Sequence, residues 1–291
     1  MDDSRYFIVG AYGQLGKALQ AQYPNATAVD RDTFDMTDWS MLEKYDWSKF
    51  DVILNAAAYT NVDGAEAVEG RQLAWQINAT GPGYLSKIAA AHSITLVHVS
   101  SEYVFDGTKN PHTEDEPVTP LGVYAQTKAA GDIAVSIAPQ HYIVRTSWLI
   151  GDGPNFVRTM MGLAAKDISP TVVGDQVGRL TFTPTLVGVI DHLLASKAPY
   201  GLYNASNDGQ PASWADVTRA IFTALGRNDL SVTDTSTEEY FASKTGVSPR
   251  PLQSSFDLTK VKATGVELND WQSDLKAYVA TEQAKTQEEA S

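Results

Sequence analysis

The sequence predicts an α/β protein built on a doubly wound parallel sheet, with a smaller C-terminal α/β lobe. Three observations carry this expectation. Short apolar runs recur through the first half, helical patterns separate them, and Gly- and Pro-containing turns break the second half into short pieces. Parallel strands covered on both faces read as continuous apolar runs, as these do.

Taken in order, Tyr6–Val9 is a strand followed by a helix over Gln14–Gln22. A strand at 26–29, a helix at 39–45 and a strand at 51–54 come next. A long helical stretch at 70–92 precedes a strand at 95–99, then a helix at 124–137 and a strand at 142–145. Turns at Gly151-Asp152-Gly153-Pro154, Ser169-Pro170, Asn207-Asp208-Gly209 and Pro249-Arg250-Pro251 punctuate the remainder. Residues 1–147 are expected to form the sheet domain, joined by segments from about 175–205, with 148–291 mainly a second lobe. The polar, acidic stretch 281–291 is expected to fray.

With 43% hydrophobic and 20% charged residues the composition is that of an ordinary soluble globular protein. No run approaches the roughly 20 apolar residues that span a bilayer. Met1-Asp2-Asp3-Ser4-Arg5 lacks the basic and apolar regions of a secretory signal. Zero cysteines exclude disulfides and thiolate chemistry and suit a reducing cytoplasm. A net charge of −13 argues against nucleic acid and anionic membranes as partners. Local arginines or a helix N-terminus still allow a phosphate ligand. His92, His98, His112, His141 and His192 show no metal-ligand spacing, so no metal site is expected, and Glu114-Asp115-Glu116 reads as a solvated loop.

The first strand runs directly into Gly10-Ala11-Tyr12-Gly13-Gln14-Leu15-Gly16. Glycines at that spacing, between a strand and a helix, permit a tight turn, close approach to a pyrophosphate and close helix packing. The helix N-terminus then offers unpaired N–H groups to the phosphates. This is the opening of a Rossmann-like dinucleotide-binding unit. Asp30, 20 residues after Gly10, is placed to accept from the adenosine ribose, favouring NADH, while Arg31 beside it suits the 2′-phosphate of NADPH. Both cofactors stay open.

A second constellation follows. Ser100-Ser101-Glu102-Tyr103 ends the strand at 95–99, and Tyr124 and Lys128 lie one helical turn apart on a shared face. A tyrosine ordinarily ionises near 10, and a fixed ammonium nearby is expected to lower that value toward the range useful for proton transfer. A hydroxyl such as Ser101 orients a substrate carbonyl for hydride attack. Together these groups describe a ketone reductase. Trp148 is expected as a wall of the cleft, Asn78 as a structural or proton-relay residue of the cofactor side, and Trp75 as core or interface. Arg250, held between prolines, suits a diphosphate.

The combination resembles the extended short-chain dehydrogenase/reductase superfamily and, within it, is similar to the dTDP-4-dehydrorhamnose reductase family. Beyond the glycine turn and the Tyr124/Lys128 pair, the similarity runs through 55–63, 101–107, Arg145-Thr146-Ser147-Trp148, Asn155-Phe156, 173–176, Gly201-Leu202-Tyr203, Ser213-Trp214 and Arg250-Pro251-Leu252. The resemblance implies Tyr124 as proton donor, Lys128 as its electrostatic partner and ribose ligand, and Ser101 as the third catalytic group. It implies Asp35 and Met36 near the adenine, and Ala56, Ala57 and Tyr59 beside the nicotinamide. It sets Val62, Asp63, Glu102, Tyr103 and Trp148 toward the sugar, and Asn155 and Arg250 toward the nucleotide. The implied reaction reduces C4 of dTDP-4-dehydro-L-rhamnose to dTDP-L-rhamnose, the last step of its synthesis. A monomer or homodimer, alone or within a fused polypeptide, is compatible; Mg²⁺ is an option of the family that no motif here supports.

Four positions depart from the family pattern. Ser101 stands where threonine is usual and loses the methyl that restrains χ1, and Glu102 replaces aspartate with a longer reach. Ala125 replaces a glycine and Leu180 a proline. None removes a catalytic group. A 4,6-dehydratase or epimerase of the same fold is disfavoured because Glu102 is followed by Tyr103 rather than a second acid. A non-catalytic regulatory relative is disfavoured because Ser101, Tyr124 and Lys128 are all retained.

Overall fold

A computed structural model of the chain describes residues 2–289. The first half contains β1 (Tyr6–Val9), α1 (Gln14–Gln22), β2 (Thr27–Val29), α2 (Trp39–Leu42), β3 (Val52–Asn55), α3 (Val68–Trp75), α4 (Gly81–His92), β4 (Thr95–Ser101), α5 (Val123–Val135) and β5 (His141–Thr146). The uninterrupted apolar runs have a simple origin. Tyr6 and Ile8 of β1 enter one core while Phe7 and Val9 enter another on the opposite face. Val52 and Leu54 against Ile53, and Tyr142 and Val144 against Ile143, divide in the same way. This is strand periodicity with no solvent-facing side.

The second half contains β6 (Leu149–Ile150), α6 (Phe156–Ala164), β7 (Thr171–Val173), β8 (Val177–Gly178), β9 (Thr181–Phe182), α7 (Thr183–Ala195) and β10 (Gly201–Ala205). It ends with β11 (Ala212–Ser213), α8 (Trp214–Ala224), β12 (Thr233–Thr235), α9 (Thr237–Phe241), α10 (Thr259–Ala263) and α11 (Trp271–Glu289). The main sheet has the order β10-β5-β4-β3-β1-β2 with every pair parallel. The chain leaves β1 toward β2 on one side and returns to β3 on the other, which opens a crevice at the carboxyl ends of β1 and β3. Leu186, Val189, Ile190 and Leu193 of α7 join the core under the sheet, as do Phe256, Leu258 and Val261 from further along. The second lobe has its own core, in which Val157 and Met160 of α6 meet Val217 and Ile221 of α8 and Trp271, Leu275 and Val279 of α11.

Three elements differ from expectation. The helix expected over 39–45 is a single turn, Trp39–Leu42. Beyond it Tyr45 and Trp47 turn inward onto Phe7, with ring centroids 5.4 and 5.2 Å away, and that aromatic packing overrides the helical track. The stretch at 70–92 is divided by a wide π-helical turn at Gln76–Thr80. Pro82, in the first turn of α4, has no N–H to continue a regular helix there. The expected frayed tail is instead helical through Glu289, while Ala290 and Ser291 lie outside the described residues. Glu282 explains the order, because it takes a 2.6 Å ion pair from Arg158 of α6 and a 3.0 Å pair from Lys285.

The sheet also buries charge. Arg145 of β5 meets Asp132 of α5 at 2.9 Å, each side chain only 4% exposed. Removing one partner strands the other in a dry interior. Arg145→Met is expected to lower unfolding free energy by about 3–5 kcal/mol, read as a shift of the urea midpoint; an unchanged midpoint would contradict this account.

Candidate active site

The glycine turn is shaped by contacts that leave no room for side chains. Gly10 has φ +84°, and a Cβ there would lie 2.6 Å from the Ala57 nitrogen. A Cβ on Gly16 would run into the Gly10 carbonyl oxygen, so Gly16 sits inside the helix–turn contact rather than on the cleft. A Cβ at Gly13 would meet only the Gly10 oxygen, at 3.5 Å, and its open side fronts the cavity. No side chain caps α1. Open glycine backbone ahead of a helix N-terminus fits a dinucleotide diphosphate.

A cavity of about 1130 Å³ runs from this turn to the end of β4. Gly10, Tyr12, Gly13, Gln14 and Leu15 line it, with Asp30, Arg31, Asp35 and Met36 at one end. Ala56, Ala57, Tyr59 and Val62 follow β3, and Ser101, Glu102, Tyr103, Tyr124, Lys128 and Trp148 close the other end. Asp30 accepts the Tyr12 N–H at 3.0 Å and the Arg31 N–H at 2.8 Å, so its carboxylate braces the turn. The Arg31 side chain is 87% exposed and has only Asp32, at 4.0 Å, as an ion partner.

At the catalytic end the electrostatics differ from the simple expectation. Ser101 Oγ donates to Glu102 Oε2 at 2.7 Å and accepts the Tyr103 N–H at 3.3 Å. The Tyr103 ring meets the Tyr124 ring edge-on at 5.4 Å. Burial first, then the Glu102 carboxylate, hold the Tyr124 phenol above its ordinary value, with Ser101 opposing them. The net lowering expected from the Tyr124/Lys128 pairing does not occur, because burial outweighs it. Lys128 Nζ instead donates to the Val99 carbonyl at 2.7 Å, and burial lowers its own value to about 8 against the pull of Asp132. Burial pushes Glu102 up to about 7 although Ser101 and backbone hydrogen bonds oppose it. His98 is held neutral by burial and by the Lys128 charge, and its Nδ1 meets the Asn55 amide at 3.0 Å.

Four other expected residues lie outside this cavity lining. The Asn78 amide accepts the Tyr59 N–H at 2.8 Å and donates to the Tyr59 carbonyl and Thr127 Oγ1, both at 3.1 Å. It braces the loop after β3 against α5. Asn155 caps α6 by accepting the Arg158 N–H at 3.0 Å, and it donates to Gly151, Gly153 and Tyr278. Asp63 and Arg250 form a bidentate pair at 2.7 and 2.9 Å, and the Arg250 charge acts on Tyr103. Glu114 and Glu116 are not simply solvated. Glu114 accepts the Asn204 N–H at 3.0 Å, and Glu116 meets His112 at 2.9 Å.

Several contacts around the cavity were not foreseen from the sequence. Trp214, at the start of α8, stacks on Trp148 with centroids 3.6 Å apart. The Ser213/Asp216 capping box marks that helix start in sequence. Trp148 itself has φ +42°, a costly conformation for a bulky residue, which aims the indole at that stack. Glu66 accepts from the Val123 N–H at 2.9 Å and from Ser248 Oγ at 2.8 Å, capping α5 from a distant segment. The 151–154 turn is bound to α1, where Gln14 accepts the Gly151 N–H at 2.8 Å and donates to the Pro154 carbonyl at 3.2 Å. Among the described residues no three His, Asp or Glu gather to hold a metal ion, and no helix is long and apolar enough to cross a membrane.

Parallel sheet, glycine turn and Ser–Tyr–Lys constellation together define a nicotinamide-dependent oxidoreductase of the short-chain dehydrogenase/reductase type. A family model described as the RmlD substrate binding domain matches residues 4–284, and the chain belongs to that family. It is 35% identical to a dTDP-4-dehydrorhamnose reductase of Aggregatibacter actinomycetemcomitans over 94% of this chain and 97% of the relative. The structure of a dTDP-4-dehydrorhamnose reductase from Clostridium acetobutylicum is similar with TM-score 0.87 and 36% identity, covering 96% of this chain and 99% of that one. The enzyme of that name from Bacillus anthracis, solved in complex with NADP, gives TM-score 0.86 and 32% identity over 95% and 99%.

The Asn78 brace is open to test. Asn78→Ala is expected to cost about 1–3 kcal/mol, because it leaves the Tyr59 N–H without its acceptor. Hydrogen exchange at the Tyr59 amide should accelerate with it; wild-type protection there would refute the brace.

Proposed function

We propose that this chain uses NADPH to reduce the C4 ketone of dTDP-4-dehydro-L-rhamnose, giving dTDP-L-rhamnose in the last step of that sugar nucleotide's synthesis. The observation that carries the reaction is the meeting of Ser101, Tyr124 and Lys128 in one cavity with the glycine turn. The family membership and the name shared by the relatives support the choice of sugar.

When bound, the reduced nicotinamide supplies hydride to the carbonyl carbon. Gly10, Gly13 and the α1 N-terminus hold the diphosphate, and Asp35 and Met36 flank the adenine. Tyr124 keeps its proton at neutral pH, because burial opposes ionisation, and it gives that proton to the carbonyl oxygen. Lys128 carries positive charge one turn away on α5 and stabilises the phenolate left behind. Ser101 orients the ketone. Val62, Tyr103 and the Trp148–Trp214 stack wall the sugar, excluding water from the reacting centre. Asp63 and Arg250 act as one unit at the rim, and Asn155 acts at one remove by fixing the 151–154 turn.

Preference for NADPH rests on Arg31. Asp30 is engaged in bracing the turn, whereas the exposed Arg31 side chain, with only Asp32 at 4.0 Å as an ion partner, is placed to meet a 2′-phosphate. The compartment proposed for this reaction is a reducing cytoplasm, which the lack of cysteine suits.

NADPH oxidation should depend on dTDP-4-dehydro-L-rhamnose, and Tyr124→Phe should lower kcat by about 10²–10⁴-fold with cofactor affinity nearly intact. Full activity in that variant, or no oxidation with this substrate, would overturn the reading. Arg31→Ala should cut kcat/KM roughly tenfold for NADPH and little for NADH; equal losses would remove Arg31 from cofactor choice.

A further inference from the structure

Ser101 has one hydrogen to give, and two groups compete for it. As a carboxylate, Glu102 takes that hydrogen through the 2.7 Å bond to Oε2. The serine then has nothing left to donate to a ketone. We propose that Glu102 is a positioning residue for the reduction: its acid form donates to Ser101 Oγ and turns the serine hydrogen toward the substrate oxygen, while its carboxylate form withdraws that hydrogen. This inference rests on the reduction proposed above.

The local bond count supports it. With Glu102 protonated, Ser101 Oγ accepts from Glu102 and from the Tyr103 N–H, filling both lone pairs and leaving its own hydrogen for the cleft. Tyr124 then presents its proton to the same carbonyl oxygen. Both residues are buried, Ser101 at 7% and Glu102 at 3% exposure, at the closed end of the cavity. The two sequence departures act together. The longer glutamate folds back onto its neighbour's hydroxyl, and the serine, without a β-methyl, rotates between its two acceptors.

The groups facing Glu102 are the phenols of Tyr103 on its own turn and Tyr124 on α5. The Asp63–Arg250 pair acts on Tyr103 from beyond, and Lys128 is turned to the Val99 carbonyl. Glu102 is held up near 7 by burial, so both forms are populated around neutrality. The acid form is the competent one, and activity is lost as pH rises through that value.

The test is the pH profile of kcat for ketone reduction. In the wild type kcat should fall roughly tenfold or more as pH rises from 6 to 8, the order of one lost hydrogen bond to the reacting oxygen. Glu102→Gln, whose amide donates permanently to Ser101, should lose that limb and keep only a later one near 8 from Lys128. Ratios of kcat at the two pH values are compared, so a general loss of rate does not matter. Ser101→Ala should also abolish the limb. A limb near 7 that persists in either variant overturns the proposal.

A second readout needs no substrate. The ¹³C carboxyl signal of Glu102, assigned by its loss in Glu102→Gln, should titrate near 7 and move upward in Ser101→Ala, because the serine bond stabilises the carboxylate. Titration in the ordinary glutamate range, or no movement in Ser101→Ala, overturns it. If the carboxyl behaves as described but dTDP-4-dehydro-L-rhamnose is not reduced, the substrate assignment fails and the pairing stands.

Discussion

The cleft depends on how closely α5 lies against the π-helical turn before α4. Gly131 makes that approach possible, because a Cβ there would collide with the Asn78 carbonyl oxygen and also press on His98 Nε2. The same turn directs the Asn78 amide to Tyr59 on one side and Thr127 on the other. One close contact therefore sets the height of Tyr124 and Lys128 over the sheet and the course of the loop after β3. Helix and loop are positioned by each other, and the glycine turn meets that loop through the tight Gly10–Ala57 contact.

Charge inside this region is arranged by burial more than by neighbouring ions. Glu102 and Tyr124 are both pushed toward their neutral forms, and Lys128 is drawn partway toward its own. Asp132 is also raised by burial, with the Arg145 guanidinium the main opposing influence. A proton-transfer site gains from this. Groups with ordinary values of about 4 and 10 have their ionisations brought near neutrality on one carboxyl and one amine. The phenol is held in its protonated form, as the proposed proton transfer requires.

Much of this was legible in sequence, and the exceptions share a cause. β1 and α1 are bounded as the apolar run and glycine spacing dictate, because backbone contacts around Gly10 and Gly16 leave the chain no alternative. The cleft residues on β-strand ends were also recoverable, since a parallel sheet carries ligand groups at its carboxyl edge. The misreadings involve side chains with two ordinary uses. Asn155 has the chemistry of a ligand contact and of a helix cap, and the cap is the use its hydrogen bonds display. Residues 39–45 have helical character, yet their aromatic rings gain more by covering Phe7. Glu282 looked like part of a solvated tail because its partner Arg158 is 124 residues away.

The bonds around residues 151–154 give the cleft a mechanical character. Gln14 holds both ends of that turn, Lys17 pairs with Asp152 at 3.2 Å, and Tyr278 of α11 donates to the Gly151 carbonyl at 2.9 Å. Helix α1 and the second lobe are thus stitched together beside the glycine-turn end of the cavity. Separation of the lobes at that end would break several polar contacts at once. At the far rim the corresponding tie is the cluster of Asp63, Glu66, Ser248 and Arg250. The cleft is a clamp with two fasteners, one at the glycine turn and one at the opposite rim, beside Tyr103.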